Sequence, residues 1–175
     1  GYTYNVPPRP RSRLDLLIVA TSTQHRAVES IQALWACALD DGVIDGVGAG
    51  RESHASTWIE GGFAAAMVEK SDTLRWFHAG QGGTSVCCPT TGVNVVPSFN
   101  QQMQRLRQHG LSTMRCDACG LTHHVSELQF SPPAAFGYAA LILRDIQSIH
   151  ISERLKEALE GLGGSFTMVF HRPSY

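Results

Sequence analysis

Long apolar runs, a charge excess of either sign and a cysteine framework are all missing from this chain of 175 residues. No apolar stretch approaches the roughly eighteen residues a membrane-spanning helix needs, so no membrane partner is expected. Fourteen basic residues against fifteen acidic ones leave no global electrostatic drive toward nucleic acid or an anionic surface. Five cysteines are too few and too clustered for a disulfide-stapled secreted domain, and their odd number would leave one unpaired. A reducing, cytoplasmic setting is the expectation. The nearest imitation of a secretory signal is Arg9, Arg11 and Arg13 ahead of Leu14 to Ala20, but Asp15 interrupts that run, which reads instead as a buried strand. The chain opens without a methionine, so residues upstream are expected.

Chemical signatures are equally sparse. Neither H-E-x-x-H nor H-x-E followed by P-C-x-x-C occurs, and no strand carries the R/K-G-F-G-F-V pattern of a base-stacking sheet. Gly46-Val-Gly48-Ala-Gly50 imitates a dinucleotide loop without its third glycine at the required spacing and without a helical apolar face after it, so a mobile loop over 42–62 is expected.

What is present is a pair of cysteine clusters, Cys87-Cys88-Pro-Thr-Thr-Gly92 and Cys116-Asp-Ala-Cys119-Gly120. In C-x-x-C-G the glycine lets the chain reverse, so that two thiolates face one tetrahedral ion. The second cluster meets that pattern in full. The first carries threonine at position 91, where a second cysteine would stand, and leaves the fourth ligand open among His123, Cys87, His78 and His124. The expected site is therefore a structural zinc on Cys88, Cys116 and Cys119 with His123 or Cys87 foremost. Glu127 is the one local carboxylate that a catalytic zinc would use. A thiol nucleophile at Cys87 or Cys88 with His78 as base has no further support, and Cys37 reads as an inert core thiol.

Periodicity organises the remainder. Residues 1–13, with Pro7, Pro8 and Pro10, are expected to form an extended leader, and they miss the P-x-x-P-x-R pattern at Ser12. After the strand from Leu14 to Ala20, Thr21-Ser-Thr23 is expected to cap a helix bearing Val28, Ile31, Leu34, Trp35, Ala38 and Leu39, ended by Asp40-Asp41-Gly42. Phe63 to Lys70 reads as the return strand, with Asp72 opening a turn and Trp76-Phe77 extending a hairpin. Ser98 and Gln101 fit a capping box on a helix with the stripe Phe99, Met103 and Leu106. Phe136 to Arg144 is a strand, Ser152 caps a helix with Leu155, Ala158, Leu159 and Leu162, and Phe166 to Phe170 closes the order. That order predicts an α+β, split βαβ (ferredoxin-like) two-layer sandwich formed by 14–80 and 131–175, with a zinc-ribbon-like module inserted over 81–130.

The functional expectation is a non-catalytic zinc-stabilised protein-interaction domain of the adaptor, accessory-subunit or toxin-neutralising type, with a protein partner. Trp58, Trp76 and Phe77 are each read either as an aromatic anchor for that partner or, at least equally, as a buried packing residue. The alternatives are a nucleic-acid binder using Arg105, Arg107, His109 and Arg115 on and after the insertion helix, and a zinc-dependent hydrolase.

Overall fold

A computed structural model describes residues 13–51, 54–80 and 83–173. The leader expected at 1–13 lies almost wholly outside these. The apolar run forms strand β1 (Asp15–Ala20), buried at every position, and helix α1 (Gln24–Asp40) follows it. Next come β2 (Ala65–Phe77), β3 (Ser85–Cys87), α2 (Val96–His109), β4 (Thr113–Arg115), β5 (Thr122–His124) and β6 (Gln129–Ser131). The chain finishes with β7 (Ala135–Arg144), α3 (Glu153–Gly161) and β8 (Phe166–His171). The fold is mixed α+β. Four strands make one antiparallel sheet in the order β2-β7-β1-β8, with Ile18 opposite Leu141 on one side and Met168 on the other. Among the described residues, no helix is long and apolar enough to cross a membrane.

Alternation sorts the central strands by face. Leu16, Ile18 and Ala20 join Leu141 and Leu143 in a cluster with Ile31, Leu34 and Ala38 of α1 and Leu155 and Leu159 of α3. The other parity, Leu17, Val19, Ala140, Ile142 and Val169, forms a second buried cluster with Phe77. Both faces of β1 are thus withdrawn from water, which is why its sequence shows no period of two. Ser152 caps α3 as expected, its hydroxyl accepting the Leu155 N–H at 3.2 Å.

Several local expectations are corrected. Thr23 is the N-cap of α1 but makes no side-chain cap bond, and Thr21 instead donates to the Ser165 hydroxyl at 2.9 Å across the sheet end. Asp72 does not open a hairpin. β2 runs through it and keeps β7 as its partner on both sides of a register break between Lys70 and Arg75. The Ser71 hydroxyl takes the Thr73 N–H at 3.1 Å, so the polar stretch is absorbed as a bulge and not a reversal. Ser98 does not cap α2, whose N-cap is Val95, with a proline in its first turn; the Ser98 hydroxyl donates to Asp117 at 2.6 Å.

The 42–62 segment is not a loose loop where it is described. Val43, Ile44, Ala55, Trp58 and Ile59 are buried in the main cluster. Its glycines permit close approach: a Cβ at Gly50 would lie 2.1 Å from the Phe63 carbonyl, and one at Gly48 2.4 Å from that of Ala66. The glycine run therefore lays this segment against the start of β2, where Ala49 pairs with Ala65. Trp58 is 0% exposed and donates its indole N–H to Asp41 at 2.8 Å, so it is a core residue and not an anchor for a partner. Phe77 is buried likewise.

Between β2 and β7 the chain builds a separate apolar cluster. Val86, Val95, Phe99, Met103, Leu106, Met114, Val125 and Leu128 meet Phe136 from the sheet, with Trp76 and Phe130 against them. The stripe on α2 is the inner face of this cluster. Two small ladders frame it, β3 with β6 and β4 with β5.

Candidate metal centre

Both cysteine clusters fold into the same kind of turn. After β3, the Cys88 N–H donates to the Val93 carbonyl at 2.9 Å and the Gly92 N–H donates back to the Cys88 carbonyl at 2.9 Å. After β4, the Cys116 N–H donates to Leu121 at 2.8 Å and Gly120 to Cys116 at 2.8 Å. Gly92 and Gly120 take φ of 74° and 75°, the left-handed conformation that lets each turn close without Cβ strain. His123 follows on β5, opposite Met114, which turns its ring toward the sulfurs.

The result is a group of four donors, Cys88, Cys116, Cys119 and His123, whose ligand atoms all lie within 4.8 Å of one another. The His123 Nε2 is 3.1 Å from the Cys119 sulfur and 3.9 Å from the Cys88 sulfur. A tetrahedral ion with bonds of about 2.0–2.3 Å has edges of roughly 3.3–3.8 Å, and these separations bracket that range. Cys88 and Cys116 are fully buried and His123 is 6% exposed. The Nδ1 of the same ring lies 3.3 Å from a Glu127 carboxylate oxygen, the outer-shell contact that fixes a ligating imidazole in one tautomer. This donor set could hold a metal ion.

Electrostatics prepare the sulfurs unequally. The Thr91 hydroxyl, foremost, and the backbone N–H groups of Thr91 and Thr90 pull the Cys88 thiol down to about 5 against the opposing effect of burial. The Leu121 N–H also favours the Cys119 thiolate. Burial and the adjacent thiols of Cys88 and Cys116 outweigh it and push Cys119 above the ordinary thiol range. Three sulfurs this close cannot all carry charge without a cation between them.

The other nominated ligands lie outside this group. Cys87 is half-buried, with the Ser85 hydroxyl 3.6 Å from its sulfur. His78 accepts the Gly80 N–H on its Nδ1 at 3.0 Å, and burial followed by the nearby His171 pushes it below the usual imidazole range. His124 caps the short 3-10 turn that follows β5, accepting the Ser126 N–H at 3.2 Å. A tetrahedral ion on this set would have all four positions filled by protein donors, with the Glu127 carboxylate beside the His123 ring.

The residues nominated for binding separate. Trp76 and Arg107 line one cleft of about 580 Å³ between the bulged part of β2 and the inner edge of α2, together with Asp72, Arg75, His78 and Met103. Arg105 is exposed on α2 but does not line the cleft. Two residues two positions apart on a helix diverge by about 200°, so Arg105 and Arg107 do not form one stripe. Arg75 and Tyr138 belong to the same cleft and were not nominated from sequence. For Arg75 the signal is the polar run Lys70-Ser-Asp-Thr73 inside a strand, which marks the bulge that re-aims the side chains after it; Tyr138 lies on β7 and carries no such signal. Glu127, expected from sequence only as a carboxylate for a catalytic zinc, is brought beside His123 by the 3-10 turn Val125–Glu127 after β5.

Comparison with protein families, with curated proteins and with solved structures found no match to this chain.

Proposed function

We propose that this chain is a non-catalytic, zinc-stabilised protein-interaction domain of the adaptor, accessory-subunit or toxin-neutralising kind. Its core would be a split βαβ (ferredoxin-like) two-layer sandwich, and residues 81–130 would be an inserted zinc-ribbon-like module. The antiparallel order β2-β7-β1-β8 with a helix after each of β1 and β7 supports the first part. The observation that carries the functional reading is the closed four-donor group of Cys88, Cys116, Cys119 and His123. A sulfur-rich tetrahedral set favours zinc over harder ions, and a closed one serves structure and not hydrolysis. It would require a reducing compartment such as the cytoplasm.

A zinc closed in this way fixes α2 against β2 and so fixes the cleft that holds Trp76 and Arg107. The Trp76 indole N–H is buried without a hydrogen-bond partner among the described residues. Aromatic and arginine side chains in a pocket beside a rigid element are the usual anchors of a protein partner. The test is capture of partners from the native host by the zinc-loaded protein and by its Trp76→Ala and Arg107→Ala variants. A partner retained by the parent and lost by both variants is expected. Retention of zinc by neither parent nor variant, or retention of every partner by both variants, overturns the reading. The nucleic-acid alternative predicts binding at low salt that falls steeply as salt rises and that depends on Arg105 and Arg107 equally.

A further inference from the structure

The two cysteine turns are structural copies, and one of them lacks its second ligand. In Cys88-Pro-Thr-Thr91-Gly92-Val93 and Cys116-Asp-Ala-Cys119-Gly120-Leu121 the first N–H donates to the sixth carbonyl, and the glycine N–H donates to the first carbonyl. Both glycines share the same left-handed conformation. Superposed by these bonds, Thr91 stands where Cys119 stands. Its hydroxyl oxygen accepts the Val93 N–H at 3.3 Å. The fourth donor comes from β5, a different element, and brings the Glu127 turn with it.

Resting on the metal-centre reading, we infer that Thr91 is the specificity-determining position of the centre. By placing a hydroxyl where the turn would otherwise present a fourth sulfur, it assigns the last ligand position to His123 and so ties β5 and the Glu127 turn to the metal. The centre is thereby a three-sulfur, one-imidazole site suited to borderline ions, and not a four-sulfur site suited to softer ones. A cysteine at 91 would close the metal within the two turns alone and release the imidazole.

Cobalt(II) titration followed by absorption tests this, because its ligand-field bands report tetrahedral geometry and its charge-transfer band reports the number of thiolates. The parent protein is expected to show a tetrahedral three-thiolate centre, and His123→Ala to bind at least about tenfold more weakly. Thr91→Cys/His123→Ala should regain the parent affinity with the charge-transfer intensity of four thiolates, and should shift zinc–cadmium competition toward cadmium. Thr91→Cys alone removes no ligand, so it reports even if His123→Ala fails to fold; its band should also gain a fourth thiolate. Thr91→Ser should match the parent. A tetrahedral parent centre with no fourth thiolate in either Thr91→Cys protein overturns this inference and leaves the metal reading standing. A parent that forms no tetrahedral centre overturns both.

Discussion

Replacing Phe99 with alanine should separate the segment that carries the four donors from the sheet. The ring is 1% exposed and lies at the meeting point of four aromatics. Its centroid is 5.1 Å from Trp76 at 71°, 5.5 Å from Phe130 at 67° and 6.3 Å from Phe136 at 71°, edge-to-face in each case. Trp76 and Phe136 belong to the sheet, while Phe99 and Phe130 belong to the segment between β2 and β7, so this cluster is the apolar seam between them. Truncation of a buried phenylalanine costs about 3–5 kcal/mol, part of it from lost aromatic pairs. Against a typical total of about 5–15 kcal/mol that is a large fraction, and at about 2–4 °C per kcal/mol it corresponds to a fall in Tm of roughly 6–20 °C. Hydrogen exchange localises the loss. Amides of α2 should lose protection while those of β1 keep it, and bound metal should stay stoichiometric because the donors sit on the turns. A fall below about 3 °C, or equal deprotection of β1 and α2, would refute the seam argument.

Cys116→Ser should abolish stoichiometric metal and deprotect residues around Val86, Met114 and Leu128 ahead of Leu16 to Val19, which hydrogen exchange with elemental analysis would check; simultaneous loss throughout would mean the ion supports the whole sheet. Glu127→Gln, at a side chain 57% exposed, should leave the fold intact and weaken zinc by about 10–100-fold in a chelator competition, because His123 loses its carboxylate partner. Asp41→Ala leaves the fully buried Trp58 indole without an acceptor, at a cost of about 1–3 kcal/mol in a denaturant titration, more than Arg154→Ala, which keeps that bond. The Arg154 guanidinium, foremost, and then Trp58 hold the Asp41 carboxyl below its ordinary value of 3.8. Its contribution is therefore complete above that pH and is lost as pH falls through the depressed folded value, so Asp41→Asn should flatten the acid limb of a stability–pH curve.

Elements whose burial is expressed along the chain were legible. β1, β7 and β8 announce themselves as short apolar runs, and α3 shows its cap at Ser152 together with Leu155, Ala158 and Leu159 at helical spacing. Cys116 and Cys119 were legible because a turn of fixed length dictates their spacing. His123 was named among several, and only the pairing of β4 with β5 decides that its ring and not that of His124 faces the sulfurs, since neighbours on a strand point to opposite sides. For Trp58 the choice between anchor and core stays open in the sequence, because nothing in a glycine-rich stretch records that Asp41 at the end of α1 will accept its N–H. The continuity of β2 was hidden for a similar reason: a polar run inside a strand resembles a turn until its partner strand is known. Ser98 satisfies the cap pattern at three-residue spacing, yet Asp117 on the neighbouring turn competes successfully for its hydroxyl.

Phe77 and Ala135, the last residue of β2 and the first of β7, are register partners. The chain therefore leaves the sheet and returns to it at one rung of the same ladder, and everything between them is topologically the loop of a hairpin. Because the entropy of closing a loop grows only with the logarithm of its length, about 0.6 kcal/mol per doubling, the length of this loop costs the β2–β7 pairing little, and its content acts on the sheet through the aromatic seam. A short turn spliced between Phe77 and Ala135 would keep the ladders of the four-stranded sheet, would remove the Gly80–Arg172 bridge at the end of β8, and would bare Trp76 and Phe136. The part that carries the four donors is in that sense an insertion at one end of a ladder, held to the sheet by its aromatic seam and by the Gly80–Arg172 bridge beside its entry.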